Sequence, residues 1–475
     1  MGICSFLLIA FYRDRYLPVK NGLKVISFYR LADVCLLLAM WMSHHLWHEN
    51  ITFLKINQLS LVQERLQHDY SLGIFISVMI FIAAAIKSAQ LPFSSWLPRA
   101  MEGPTTSSAI FYGSLSVHLG VFLLLRTFPF WENMLVIKVM VMITGLATAL
   151  IATGIARVQS TVKTQIAYSS AAQIGIIFIE VALGFHLLAL VHFAGNAFLR
   201  TYQLLVSPSV LSYLVHDQFY NFTPRDHNDK PSIFKKFGYS FYILCIKEWN
   251  LDFLLHRFLW SPFKWVGNKL EFLTCTLALI LLITIFLFGL YCFSYNVEIV
   301  LSDALPYVFS FIALALILRA FTDRGDAKRG WLLVFSSQLF VALSIALNKD
   351  FEFNQILIYL SGGIISAIVG YACLNKIKSI DNDIDMNKFH GYEYEHPKLA
   401  LVFLLSCLGL VAFPITPAFI GFDILLTHIH KDQYILITFA SLCFIFIELS
   451  VLRIYARIFL GQHKKPYHAI AYRSS

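Results

Sequence analysis

The sequence predicts an all-α polytopic membrane protein whose bundle contains two proline-broken transmembrane helices. Three observations carry the prediction. Of 475 residues, 58% are hydrophobic and 14% charged, and the mean hydropathy is +0.68, whereas a soluble domain is only about half apolar. The apolar residues gather into runs of about 18 or more, long enough for a helix to cross the hydrocarbon core. Two of these runs contain proline, one at Pro92 and the other at Pro414 and Pro417. Proline inside a helix removes a backbone donor and clashes with the preceding turn. Broken backbone at membrane depth is tolerated only where protein or water satisfies it, so each break marks an unusual place.

Composition also excludes several functions. The net charge of +9 could suggest nucleic acid, but the Lys and Arg lie in loops and at span ends, the pattern of positive-inside topology. Eight cysteines are scattered without a C-x-x-C, so neither an iron–sulfur cluster nor a zinc site has its ligand spacing. There is no G-x-G-x-x-G and no Walker A loop. The chain is expected to hold no redox cofactor, nucleotide or metal, and any electron transfer would belong to a partner.

Taken in order, MGICSFLLIAFYRDR opens with an apolar stretch too short to span, and without the basic start and cleavage site of a signal peptide. Residues 24–47 form a span carrying Arg30 and Asp33, which at i, i+3 share a helix face and can neutralise one another. Residues 49–70 read as a polar loop. The broken helix 71–101 carries Lys87 about fifteen residues in, near mid-membrane and too deep to snorkel easily. A charge there costs at least about 2.5–3.5 kcal/mol and marks a functional position by default. The next span, 105–128, contains Tyr112 and His118, and spans near 134–156, 165–183 and 185–206 follow. Lys163 stands at the start of the second of these three and Glu180 inside it, in need of a partner or a proton. His192, Asn196 and Arg200 recur at i, i+4, i+8, so they form a polar face that argues for a wet or bundle-facing surface.

Residues 207–271 interrupt the spans with aromatic and basic residues, as in FLLHRFLWSPFKWVGNKLEF. They are expected to form a cytoplasmic or interfacial segment. Further spans lie near 272–296, 303–321, 330–348, 355–375, 397–427 and 431–460, before a basic tail at 461–475. Residues 1–206 and 272–460 thus form the first and second parts of the bundle, with broken helices at 71–101 and 397–427. The second break contains Phe422 and Asp423, and the last span contains Glu448 and Arg453.

Four stretches carry a family likeness: KSAQLPFSSWLPRAMEGPTTSSAI, QSTVKTQIAYSSAAQIG, HLLALVHFAGNAFLR and FPITPAFIGFD. Together they resemble the signature of the antiporter-like, proton-translocating membrane subunits of respiratory complex I and its relatives. That family includes the large distal subunit of NADH-quinone oxidoreductase, multisubunit cation/proton antiporters, and the membrane half of energy-coupled inorganic-carbon pumps. The resemblance implies an antiporter-like helix bundle with a proton path through Lys87, Lys163, His192, Asp33, Arg30 and Asp423; His118, which matches no family position, joins them as a candidate only as a histidine inside a span. It also exposes departures. Tyr112 stands where a histidine is common, Thr161 replaces an aspartate, Asn196 a second histidine, Arg200 a lysine, and Phe422 a lysine or glutamate. Arginine does not release its proton in proteins. The resemblance further implies a Trp–Glu pair just before Met1, and two readings stay open: a start upstream of Met1, or a member without the family's early helices. The short tail implies that no long lateral helix follows.

The leading expectation is a proton-translocating membrane subunit of a complex-I-like NADH-quinone oxidoreductase or related multisubunit transporter, which has no redox site of its own. Its partners would be other membrane subunits or a soluble protein, in the lipid bilayer and without nucleic acid. Two alternatives stand beside it: the membrane subunit of an energy-coupled inorganic-carbon pump, and a non-conducting scaffold that anchors a soluble partner. Counting crossings puts the loops at 12–24, 157–164, 207–271, 322–329 and 376–396 on one side, which holds most of the Lys and Arg and is therefore cytoplasmic. Cysteines engineered into 207–271 are expected to resist an impermeant thiol reagent applied to intact cells. Labelling from outside would invert the topology.

Overall fold

The structure, a computed structural model, describes residues 2–47, 52–58, 62, 64, 66, 69–220, 233–295, 304–348, 353–414 and 416–462. Side chains are described at these positions except 208–220, 233–235, 276, 353–354, 381 and 423–425. Ten of the 22 residues of the 49–70 loop, and most of the basic tail, lie outside the described residues. Among the described residues ten helices are long and apolar enough to cross a membrane, and no strand occurs beyond an isolated bridge between Asp326 and Asp385. The protein is an all-α, multi-pass integral membrane protein. The chain forms two compact units, Met1–Phe11 with Lys20–Phe258 and Tyr12–Val19 with Leu259–Ser475.

In the first unit the Arg30 and Asp33 helix runs Tyr16–Trp47, eight residues further toward the N-terminus than the apolar pattern indicated. Pro18 does not prevent this, because the first turn of a helix has no hydrogen bond for its missing N–H to break. The broken helix begins as Tyr70–Lys87, turns through Ala89 at φ 52°, and resumes as Trp96–Ala100. A left-handed alanine costs about 1–2 kcal/mol, and the surrounding protein offsets it by satisfying the opened backbone. The Trp96 indole donates to the Ile86 carbonyl at 2.9 Å, and the Leu91 amide donates to Thr148 Oγ1 at 3.0 Å.

Beyond Thr105–Ser107 the next crossing is π-helical over Ser108–Leu115 before it becomes α-helical at Leu119–Trp131. Helices Leu135–Ala156 and Val162–Ala182 pack closely through small residues. A Cβ added at Gly145 would lie 2.5 Å from the Gly175 carbonyl oxygen, and one at Gly175 would lie 2.5 Å from that of Gly145. Gly184, at φ 86°, turns the chain into the helix His186–Tyr220. That helix continues well past residue 206, so the expected interruption begins later than the composition suggested.

The second unit contains Leu305–Thr322, Ala327–Ala346, Phe353–Asp381, a second broken helix (Pro397–Leu410, then Pro417–Thr427) and the largely buried Tyr434–Phe459. The two breaks share one hydrogen-bond pattern. At the first, the Gln90 amide bonds to Ala85 O and the Ala89 amide to Ile86 O. At the second, the Phe413 amide bonds to Leu408 O and the Ala412 amide to Gly409 O, with Ala412 at φ 58°. The Gln338 side chain donates to the Leu410 carbonyl, as Trp96 does to Ile86. Counting back two residues from each left-handed alanine, Leu410 holds the position that Lys87 holds in the first break.

Arg453 caps the end of Leu305–Thr322, donating to the Phe321 carbonyl, to Ala320 O at 2.9 Å and to Asp323 O at 3.2 Å. A guanidinium suits the negative end of a helix dipole. Asp323 is 4% exposed and receives Arg329 through two bonds of 2.5 and 2.9 Å. Burial alone would raise its carboxyl, but the bonds from Arg329 and the Gly325 amide outweigh burial and hold it low.

Gly145→Val and Gly175→Val should each destabilise the purified protein by about 1–3 kcal/mol, since a Cβ 2.5 Å from a backbone oxygen cannot be accommodated without moving a helix. Thermal unfolding in detergent measures the loss.

Candidate functional site

The first unit holds three polar clusters in its spans and a fourth where Trp96–Ala100 meets the segment after Ile246. The central one is at the break. Lys87 is the last residue of its helix and is 8% exposed. Its Nζ donates to Asp33 Oδ1 at 2.6 Å and lies 4.4 Å from the centroid of the Tyr29 ring. Tyr29 and Asp33 are one turn apart on the same helix, so one face supplies both the carboxylate and the aromatic cradle. Tyr29 hydrogen-bonds Ser116, and Tyr112 hydrogen-bonds Ser5 on the short helix Gly2–Ile9. Arg30 is half-buried on the same helix as Asp33. The lysine's partner was expected to be the glutamate implied before Met1; Asp33 supplies a carboxylate instead.

The second cluster runs along the polar face of His186–Tyr220. Asn196 Nδ2 lies 3.1 Å from His118 Nε2, and Asn196 Oδ1 accepts from Arg200 Nε at 3.1 Å. Arg200 also donates to Gln203 Oε1 at 2.7 Å and to Ser169 O at 3.4 Å. The amide therefore works as a two-sided connector between a histidine and an arginine. His118 is 1% exposed, and its ring also packs edge-on against Phe193. Gly120, two residues on, approaches the Lys87 helix so closely that an added Cβ would lie 2.4 Å from Ser88 Oγ. The second cluster thus adjoins the first.

The third cluster was not expected. His192 Nδ1 lies 2.8 Å from Glu180 Oε1, and its Nε2 lies 2.9 Å from Gln173 Oε1. Glu180 had been noticed as a span carboxylate in need of a partner, but the sequence did not say which. The Gly184 turn brings the two helices together and decides it.

Lys163 lies at the opposite end of the Glu180 helix, where its Nζ donates to Gly103 O at 3.2 Å. Thr161 caps that helix by accepting from the Thr164 amide, so the residue standing for an aspartate keeps the capping role. In the second unit Phe422 packs against Phe444 with ring centroids 4.0 Å apart. The side chain of Asp423 lies outside the described residues. Pro414 lies within the second break and Pro417 opens the helix after it.

The fourth group ties the segment after Ile246 to the first break. Arg99 Nη2 donates to Glu248 Oε2 at 2.8 Å and approaches Asp252 Oδ2 at 3.5 Å, while Lys24 pairs with Asp252. Glu248, Trp249 and Asn250 all have φ between 51° and 54°, a strained run that aims Glu248 inward. Burial pushes the Glu248 carboxyl up against the pull of Arg99. At Asp252 burial acts the same way, but the charge and hydrogen bond of Lys24, with Arg99 nearby, outweigh it and hold the carboxyl low. No periodicity points to this cluster, because its members lie far apart in sequence.

The fold and these clusters define a multi-pass all-α membrane bundle with ionisable side chains gathered at a broken helix. Residues 1–222 match the family described as NADH:quinone oxidoreductase/Mrp antiporter, TM. The chain is 30% identical over 250 residues to NADH-quinone oxidoreductase subunit L of Rhodobacter capsulatus, covering 52% of this chain and 34% of that protein. It is 33% identical over 222 residues to NADH-ubiquinone oxidoreductase chain 5 of Petromyzon marinus, covering 46% and 35%. It spans about a third of the length of these relatives. The solved Mrp complex from Dietzia sp. DQ12-45-1b aligns with 87% of this chain and 42% of that one, at 18% identity and a TM-score of 0.39.

Arg99→Gln should lower stability by about 1–2 kcal/mol, screened by its partial exposure, and adding Glu248→Gln should restore part of that loss. The pH dependence has a definite sign. Folded Glu248 takes up a proton at pH values where the unfolded chain does not, so its contribution to stability falls as pH rises above the ordinary carboxylate range. Glu248→Gln should flatten that decline in thermal unfolding curves.

Proposed function

We propose that this chain is a proton-translocating membrane subunit of a complex-I-like NADH-quinone oxidoreductase or related multisubunit transporter. The observation that carries the reading is the Lys87–Asp33 pair at the helix break. A buried ammonium beside a single carboxylate can be loaded or emptied by changing their separation, because each charge is the other's main compensation in a low-dielectric surround. The break lets that happen, since Lys87 ends one helical segment and the next begins at Trp96.

Protons would reach the pair through titratable groups joined by water: Lys163 toward the cytoplasmic side, His118 beside the break, and His192 beyond it. Asn196 and Arg200 carry no proton. Asn196 orients His118, and Arg200 is a fixed positive charge that repels a proton travelling along that face. Arg30 sits one turn from Asp33 and biases its charge. Asp423 remains a candidate carrier for the second unit. Energy for pumping would come from partner subunits, since the relatives are named as subunits or numbered chains of oxidoreductases. Residues 207–271 would face those partners or the membrane surface. Phe237, Tyr239, Phe241 and Tyr242 are exposed on the helix Ile233–Ile246, a composition suited to an interface.

Lys87→Ala should abolish proton flux in reconstituted vesicles while leaving membrane insertion intact, and Lys87→Arg should fail as well, because a guanidinium does not release its proton. Neutral substitutions at Lys163 and His192 should each reduce flux, whereas Arg200→Lys should be tolerated or raise it. Unchanged flux in Lys87→Ala would refute the reading.

A further inference from the structure

The missing second histidine and lysine of the polar face leave this chain short of proton carriers on that helix, and its own geometry supplies a carboxylate to balance the charge of His192. Glu180 and His192 sit on helices joined at Gly184, with Oε1 and Nδ1 2.8 Å apart. Their side chains are 13% and 24% exposed. The other ring nitrogen faces Gln173 Oε1 at 2.9 Å, and Glu180 Oε2 is buried without a hydrogen-bond partner.

Both ring nitrogens thus face oxygen atoms. A ring that donates from both is an imidazolium, and the carboxylate beside it compensates the charge. Removing the proton from Nε2 leaves a neutral ring whose Nδ1–H still bonds to Glu180. The pair then carries one net negative charge, which the unpartnered Oε2 of Glu180 leaves uncompensated and which draws a returning proton to Nε2. A neutral Gln173–His192 contact alone would hold no such charge.

Position adds to the chemistry. Lys163 and Glu180 lie on one helix, separated by about 25 Å at 1.5 Å per residue, and Lys163 marks the end assigned to the cytoplasm. Glu180 therefore stands near the far mouth. Asn196, one turn along from His192, leads on to His118 and the break.

We infer that Glu180 and His192 form a one-proton exchange site at the non-cytoplasmic end of the path, with His192 carrying the proton and Glu180 balancing its charge. The inference rests on the proton-translocation reading. The exchange is balanced: an Nε2–H bond of His192 breaks, the proton passes to water at the mouth, and uptake re-forms the bond with no other reactant.

The test is proton flux in vesicles reconstituted with the full chain. Glu180→Gln keeps the size and the ability to hydrogen-bond His192 but cannot balance an imidazolium, so flux should fall about a hundredfold, while Glu180→Asp should recover much of it. A purely structural role would leave Glu180→Gln near wild type. Wild-type flux in Glu180→Gln, with Lys87→Ala inactive, overturns this inference and leaves the broader reading standing. Wild-type flux in both overturns both. If Glu180→Gln does not insert, the histidine vibrational bands of the wild type, assigned by loss in His192→Asn, decide: an imidazolium supports the pair, and a neutral ring throughout the working pH range overturns it.

Discussion

A charge cannot rest in hydrocarbon without a partner, and at the first helix break Lys87 meets that constraint with Asp33. Much of the first unit is arranged around it. The Lys87 helix has to stop where it does, and Ala89 takes a left-handed conformation to stop it. The opened backbone has to be satisfied from neighbouring elements, which is the work of Trp96 and Thr148. Asp33 has to face the break, and a long unbroken helix presents it with Tyr29 one turn away. Each feature is costly alone and is tolerated because the others are present.

The two units repeat one break and fill it differently. Where the first has Lys87, the second has Leu410, with the Gln338 amide on its carbonyl. Where a titratable residue would follow the second break, Phe422 stacks on Phe444. The lysine–carboxylate pair at a helix break therefore belongs to the first unit, as does most of the matched family segment. Under the proposed function the clusters there would divide their labour: Lys87 and the histidines would exchange protons, Asn196 would connect them, and Arg200 and Arg99 would hold fixed charge.

Much of this was legible in the sequence, and for identifiable reasons. Runs of apolar residues gave the spans, because crossing length depends on composition. Prolines gave both breaks, and the depth of Lys87 gave the site, because a mid-membrane ammonium has few explanations. The ends of elements were less legible. Tyr16–Trp47 and His186–Tyr220 both extend beyond their apolar cores, where polar residues continue a helix already nucleated. Pairings were the least legible. Asp33 finds Lys87 from 54 residues away and Arg99 finds Glu248 from 149, and no periodicity spans such distances. Glu180 could be noticed but not paired, since its partner depends on how the Gly184 turn sets two helices face to face.

The central claim is that Lys87 and Asp33 act as one unit, and a double-mutant cycle tests it most directly. Proton flux would be measured in vesicles for wild type, Asp33→Asn, Lys87→Met and the double variant, with insertion checked for each. If the two side chains form one loading device, either single change removes it and the double variant is no worse than the more damaged single. If instead the effects multiply, the two residues act separately, and the pair is not the centre of the mechanism.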